Sequence, residues 1–187
     1  MTKSKVIKTE RLIIEPFSEN YLTKRYINWL NNPEIVKYSE QRHKRHTFKN
    51  CQQYMKSFNG TPHYFWAIVS QDKKIGHIGN INAYVDSTNL IADVGIIIGE
   101  ESVWGLGYGY EAWTAVCNYL FAKVGLRKIT AGALSINSRM LNLMNKAGMV
   151  VDGKRSRHYL YKGIEVDLIY MALFQNDWLN LKNRRDK

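Results

Sequence analysis

The chain predicts a mixed α/β (α+β) fold: a mostly antiparallel, twisted sheet of about seven strands with helices on both faces, in one domain over residues 1–187. Three observations carry this. Strand-like runs dominate the first half, a strand, helix, strand, helix succession follows the glycine-rich stretch at 104–112, and a hairpin pattern closes the chain. With 187 residues and 45% apolar side chains, the chain is long enough for one full core and short for two.

Val6–Ile14 reads as an opening strand closed by Pro16. Ser18 then caps a helix whose Tyr21, Leu22, Tyr26, Trp29 and Leu30 share one face, and the helix ends before Pro33. Asn32–Tyr38 reads as a turn and a short irregular piece, and Arg42, His43, Lys44, Arg45 and His46 form a concentrated basic patch. Thr47 caps a second helix, to Phe58, ended by Gly60-Thr61-Pro62. His63–Val69 and Ile75–Asn82 flank the hairpin turn Gln71–Lys74. Asp86–Asn89 turns into Ile91–Ile98, an apolar, β-branched run of the kind a buried strand shows. After the glycines, Ala112, Val116, Tyr119, Leu120 and Val124 mark a helix stopped by Gly125. Arg127–Leu134 is a strand and Asn137–Lys146 a helix with Gly148 past its end. Arg157–Tyr161, the turn Lys162-Gly163 and Glu165–Leu173 complete a hairpin, and the charged tail, from about residue 177 and most strongly over Lys182–Lys187, is expected to fray.

The stretch Trp104-Gly105-Leu106-Gly107-Tyr108-Gly109-Tyr110-Glu111-Ala112 stands between a strand and a helix. Alternating glycines let the backbone bend tightly and aim several N–H groups at one point, where the helix N-terminus adds partial positive charge. That is a phosphate cradle. A P-loop would end in Gly-Lys-Ser/Thr, and a dinucleotide fingerprint would open a βαβ unit near the start of a domain; neither matches. The wording resembles the pyrophosphate loop of the GNAT superfamily of acyl-CoA-dependent N-acyltransferases, Gln/Arg-x-x-Gly-x-Gly/Ala, with Trp104 in the first place. It is most similar to the branch of ribosomal-protein-alanine N-acetyltransferases, which read Trp-Gly-x-Gly-Tyr-x-x-Glu-Ala and commonly begin with Thr-Glu-Arg-Leu, here Thr9–Leu12.

The resemblance implies acetyl-CoA as co-substrate and no metal. The pyrophosphate would lie on the N–H groups of Gly105, Leu106, Gly107, Tyr108, Gly109 and Tyr110, and the pantetheine arm and acetyl carbonyl along the backbone of Ile97, Ile98 and Gly99. Asn137 matches the residue that contacts the coenzyme A arm. At Met140 and Met144, where relatives carry a Ser or Tyr acid, this chain has no proton donor, so Tyr110 or water is left to protonate the thiolate. Those two methionines also suit an acyl-CoA-binding module that does not catalyse.

Transfer to an amine needs the amine neutral. An α-amino group of pKa ~8 is about one tenth neutral at pH 7, whereas a lysine-like amine near ~10.4 costs about 4–5 kcal/mol to deprotonate. Asp93 interrupts an apolar strand and is the first candidate base. His77 is the second, although its alternation with small and apolar residues also suits a hydrogen-bonded sheet histidine. Glu100 reads as a loop carboxylate and Glu111 as a first-turn partner of the helix dipole.

The segment Tyr26–Tyr38 resembles the acceptor side of GNAT members acting on nucleotide-linked amino sugars, which makes Trp29 and Tyr38, with Arg42, Lys44 and Arg45, candidate substrate contacts. The net charge of +11 attracts anions, coenzyme A included, without choosing among them; the basic patch beside this segment favours an anionic acceptor, and the N-terminus of a ribosomal or other protein is the alternative. His43 and His46 lack a carboxylate or thiolate companion, so no metal site is expected. No helix pairs regular basic spacing with a nucleic-acid motif, no apolar run nears the ~18 residues of a membrane span, and no secretory leader is legible, which places the chain in the cytoplasm. Cys51 and Cys117 are only two and far apart, and the reducing surroundings there argue against a disulfide. The oligomeric state is left open, a dimer included.

Overall fold

The computed structural model describes residues 6–185. Its strands and helices give the expected mixed α/β class, with eight strands in place of about seven. The extra strand comes from the opening stretch, which is two short strands, β1 (Ile7–Lys8) and β2 (Leu12–Pro16), paired antiparallel. The chain reverses at Thr9, whose N–H donates to the Leu12 carbonyl at 3.0 Å. Alternation alone cannot reveal this break, because the residues of the turn are held by a partner about a hundred positions away.

By its internal contacts the chain forms two compact units. The first runs to Val85 and resumes over Gly95–Val116; the second takes Asp86–Val94 and the chain from Cys117 on.

In the first unit the strand order is β1, β2, β3 (Tyr64–Ser70), β4 (His77–Asp86) and the end of β5 (Ile91–Ile98). Three helices accompany them: α1 (Lys24–Asn31), α2 (Pro33–Val36) and α3 (Phe48–Lys56). Ser18 leads only into a single 3-10 turn and makes no side-chain cap. Thr23 caps α1 instead, accepting from the Tyr26 N–H at 3.3 Å. Pro33 begins a helix as well as ending one, since its missing N–H is harmless at a first helical position and Asn32 caps the turn. Thr47 caps α3 as expected, and Asn50 closes the reciprocal half of a capping box. Phe17, Leu22, Tyr26, Trp29, Leu30, Cys51, Phe65 and Ala67 form a buried cluster on these elements.

In the second unit the order is β5, β6 (Lys128–Leu134), β8 (Ile164–Phe174) and β7 (Val150–Tyr161). β5 and β6 are parallel, with Ile91, Ala92 and Asp93 opposite Lys128, Ile129 and Thr130. The closing hairpin is longer than the pattern at Arg157 predicts, because the first half of β7 is an edge strand whose side chains, Val150 and Val151 included, are mostly exposed and show no alternation to read. Irregularities between Val151 and Gly153 and between Arg155 and Tyr159, the second holding Arg157 at φ 50°, further blur its period. The helix α4 (Tyr108–Tyr119) begins in the first unit and continues into a π-type turn ended by Gly125 at φ 79°. α5 (Ser138–Lys146) follows β6, and α6 (Gln175–Arg185) closes the described chain.

The expected charged tail is helical up to Arg185, and Trp178 within it is buried, its ring centroid 6.4 Å from that of Phe121. Asp186 and Lys187, like the stretch before Val6 on which the expected absence of a secretory leader falls, lie outside the described residues. Cys51 and Cys117 are buried and free. Among the described residues no helix is long and apolar enough to cross a membrane.

Candidate active site

The glycine stretch links β5 to α4 within the first unit. Gly105 and Gly107 take φ 78° and 84°, the left-handed region that other residues reach only at a cost, so the tight bend requires glycine there. The Leu106 N–H donates to the Val103 carbonyl at 3.3 Å, and the Trp104 indole N–H to the Ile98 carbonyl at 2.9 Å. Trp104 thereby closes off the end of β5. α4 begins at Tyr108, so the N–H groups of its first turn, Tyr108, Gly109 and Tyr110 included, have no acceptor within the helix and carry the positive end of its dipole. The donors and the open space fit a pyrophosphate: a Cβ placed on Gly105 would meet nothing within 4 Å, and one on Gly107 only Arg11 Nη2, at 3.5 Å.

Two residues bracing this loop were not among the sequence candidates. Glu111, in the first turn of α4, accepts from the Thr9 hydroxyl at 2.5 Å, the Arg11 N–H at 2.9 Å and Arg11 Nε at 2.7 Å. Arg11 also donates through Nη1 to the Leu106 carbonyl at 3.0 Å and lies 4.2 Å from the centre of the Tyr108 ring. Partial burial pushes Glu111 upward, but the bonds from Thr9 and Arg11 outweigh it and hold the carboxyl below the ordinary range. Glu111 is thus more than a partner of the dipole: it anchors the β1–β2 turn to the loop. The place of Arg11 in the Thr9–Leu12 opening, and of Glu111 in the Glu111-Ala112 wording, was the signal available.

At the end of β5, Gly99 and Glu100 both donate N–H to the Ile78 carbonyl, at 2.9 and 3.1 Å. A Cβ on Gly99 would stand 2.1 Å from Trp29 Cδ2, and one on Gly79 2.2 Å from the Ile97 carbonyl oxygen, so close backbone approach requires glycine at both. Trp29 is therefore buried packing beneath Gly99. His77 joins it, 5.0 Å from the Trp29 ring and 4.9 Å from Tyr21, with Nε2 2.9 Å from the Gly79 carbonyl. Burial lowers its pKa to about 4, the Gly79 bond opposing and the nearby Arg25 charge adding to the shift. A neutral imidazole with one nitrogen engaged is a weak base. Glu100 is held below its ordinary range by the Ser102 hydroxyl and by its ion pair with Arg25.

The basic patch lies before α3. Arg42 is mostly covered and bonded to Glu40 at 2.8 Å and to the Ser39 carbonyl at 3.0 Å, whereas Lys44 and Arg45 are exposed. Tyr38 is half-buried, 5.3 Å from Lys37 Nζ.

Asp93 and Asn137 belong to the second unit. Asp93 accepts from the Thr130 hydroxyl at 3.0 Å, and the surrounding protein raises its carboxyl above the ordinary range against that bond. Asn137 caps α5, its side-chain oxygen accepting from the Met140 N–H at 3.2 Å. Met144 is fully buried. Among the described residues no group of three or more His, Cys, Asp or Glu is placed to hold a metal.

Residues 11–150 match the sequence profile of the acetyltransferase (GNAT) domain. No curated protein sequence matches significantly. Solved structures of similar fold include spermidine N-acetyltransferase from Vibrio cholerae in complex with CoA and spermine, at 19% identity and TM-score 0.81, covering 92% of this chain and 100% of that one. Ribosomal-protein-S5-alanine acetyltransferase from Vibrio fischeri is similar at 15% identity and TM-score 0.79, covering 94% and 99%. A GNAT-family acetyltransferase from Bacillus anthracis is similar at 20% identity and TM-score 0.78, covering 92% and 99%.

Proposed function

Because the chain belongs to the GNAT family of acetyltransferases, we propose that it binds acetyl-CoA along Trp104–Tyr110 and transfers the acetyl group to the amine of an anionic acceptor, a nucleotide-linked amino sugar. The observation that carries the cofactor half is the glycine loop opening onto the first turn of α4, with Arg11 and Glu111 holding its shape. Acetyl-CoA supplies an activated thioester carbonyl. The N–H groups from Gly107 to Tyr110 bind its phosphates, and the backbone of Ile97, Ile98 and Gly99 orients its arm.

Asp93 takes a proton from the acceptor ammonium, directly or through one water. The amine nitrogen then bonds to the acetyl carbon and gives up its second proton to water, the carbon–sulfur bond breaks, and the thiolate leaves with a proton from Tyr110 or water. A carboxyl above its ordinary range is a better match to this task than one held low, because proton transfer to it is less uphill. Lys44 and Arg45, with Arg42 and Tyr38 behind them, draw the anionic acceptor in, and Trp29 supports the site from beneath Gly99.

The loop wording shared with ribosomal-protein-alanine N-acetyltransferases favours one second reading, a protein N-terminus as acceptor. Thiol release from acetyl-CoA against nucleotide amino sugars, free amino sugars, N-terminal peptides and polyamines separates the two. The first class should turn over with the highest kcat/KM. Preference for peptides would establish the second reading, and preference for a polyamine would overturn both.

A further inference from the structure

Within the second unit, Asp93, Thr130, Asp152, Lys154, Arg155 and Tyr170 line a concavity of about 430 Å³. Strand register builds its floor. Asp93 stands opposite Thr130, and Gly132, two residues further along β6, stands opposite Tyr170, which in turn pairs with Gly153 on β7. Tyr170 lies against Gly132 of β6: a Cβ built there would stand 3.6 Å from Tyr170 Cε1, an ordinary van der Waals contact.

The charges around this floor are unequally matched. Asp152 is paired with Lys128 and Lys154 with Asp167, each at 2.7 Å. Arg155 stands 5.2 Å from the centre of the Tyr170 ring and 3.4 Å from His158 Nε2, and among the described residues no carboxylate pairs with it. Asp93 has the Thr130 hydroxyl and, among the described residues, no cation. One unmatched acid and one unmatched guanidinium thus face a shared hollow with an aromatic ring between.

Adjacent strands lie about 4.8 Å apart, so the three steps from β5 to β7 separate the two backbones by about 14 Å, and the side chains shorten that span from both ends. A sugar ring with an amine on one side and a phosphate on the other has that reach and that charge order. Sugar rings also pack their C–H faces on aromatic rings, and guanidinium binds phosphate through paired N–H bonds.

We propose that this concavity is the acceptor's docking site, with the amine at Asp93, the sugar ring against Tyr170 and the phosphate on Arg155. The proposal rests on the acetyltransferase reading and adds where its amino-sugar phosphate docks and two residues that select it. Lys44 and Arg45 then serve capture, and Arg155 and Tyr170 serve binding.

The test uses glucosamine 1-phosphate and glucosamine as probes, titrated against tyrosine-ring-labelled protein and followed by NMR. The Tyr170 resonance should shift with glucosamine 1-phosphate in the wild type. In Arg155→Met the Kd for that probe should rise ten-fold or more while glucosamine and acetyl-CoA bind as before, and Tyr170→Leu should weaken both sugars. An unmoved Tyr170 resonance, or equal affinity of wild type and Arg155→Met for the phosphorylated probe, overturns the docking site. Thiol release measured beside the titration keeps the two ideas apart. Turnover of nucleotide amino sugars with an unchanged KM in Arg155→Met removes the docking site alone. Titration at Tyr170 with no thiol release from any amine leaves the docking site and removes the acetyltransfer to it.

Discussion

His77 and Asp93 are both shifted by burial, in opposite chemical senses, and that difference assigns their roles. Burial favours the neutral form of each. For His77 this means a pKa near 4 in the folded chain against about 6.5 when unfolded. The unfolded state therefore binds more protons between those values, so stability is full above about pH 6.5 and falls as pH drops toward 4. The shift corresponds to a loss on the order of 3 kcal/mol. Urea unfolding at pH 7.5 and pH 4.5 should show it, and His77→Phe should flatten the dependence. For Asp93 the ionised form is the working one, and its raised pKa moves the acidic limb of the rate profile upward. Asp93→Asn should lower kcat by roughly 10²-fold at neutral pH and erase that limb, with acetyl-CoA affinity preserved. Wild-type turnover in this variant would leave Asp93 a merely structural partner of Thr130.

The loop between β5 and α4 works because a distant hairpin holds it. Arg11 ties the Leu106 carbonyl, the Tyr108 ring and the Glu111 carboxylate to the β1–β2 turn. It also neutralises an acid that stands in the first turn of a helix expected to receive phosphates. Arg11→Met should thus raise the Kd for coenzyme A about ten-fold or more by calorimetry, since it removes a charge-assisted bond and leaves Glu111 unpaired. Adding Glu111→Gln should recover part of that loss, because the unpaired acid is then gone. If the double variant binds no better than Arg11→Met, the brace is steric only. Gly107→Val puts a β-branched residue at φ 84° and a side chain into the cradle, and should abolish coenzyme A binding in a protein that still unfolds cooperatively.

At the scale of the whole chain, the excess of 27 Lys and Arg over 16 Asp and Glu sets a positive field that attracts anions without choosing among them. Such attraction between exposed charges is screened beyond ~8–10 Å at physiological salt. Acceptor KM should therefore climb between about 0.05 and 0.3 M salt, and replacing Arg42, Lys44 and Arg45 together with Gln should raise it at low salt while sparing acetyl-CoA. Most of that effect should reside in Lys44 and Arg45, because Arg42 already serves Glu40 and the Ser39 carbonyl. Steady-state kinetics of the triple and the Lys44→Gln/Arg45→Gln variants decide this; a salt-independent KM would make the patch ordinary solvated surface.

Local chemistry was legible from residues alone wherever neighbours in sequence are also the physical partners. Ile91–Ile98 reads as a strand from its β-branched run, Thr47 as a helix start from its cap chemistry, and the glycines at 105 and 107 as a tight bend from their missing side chains. Fold class follows from such local patterns, and the family from the resemblance of the Trp104–Ala112 wording and the profile match over residues 11–150. What partners distant in sequence control could not be read in this way. The break at Thr9 needs Glu111, the burial of Trp178 needs Phe121, and the requirement for Gly99 exists only because Trp29 packs against it. The same holds for function. The donors of a phosphate cradle are written in consecutive residues, because a loop and a helix N-terminus supply them, whereas the brace from Arg11 is not. The grouping of Asp93, Thr130, Tyr170 and Arg155 comes from strand register across four strands, and register is set by tertiary pairing.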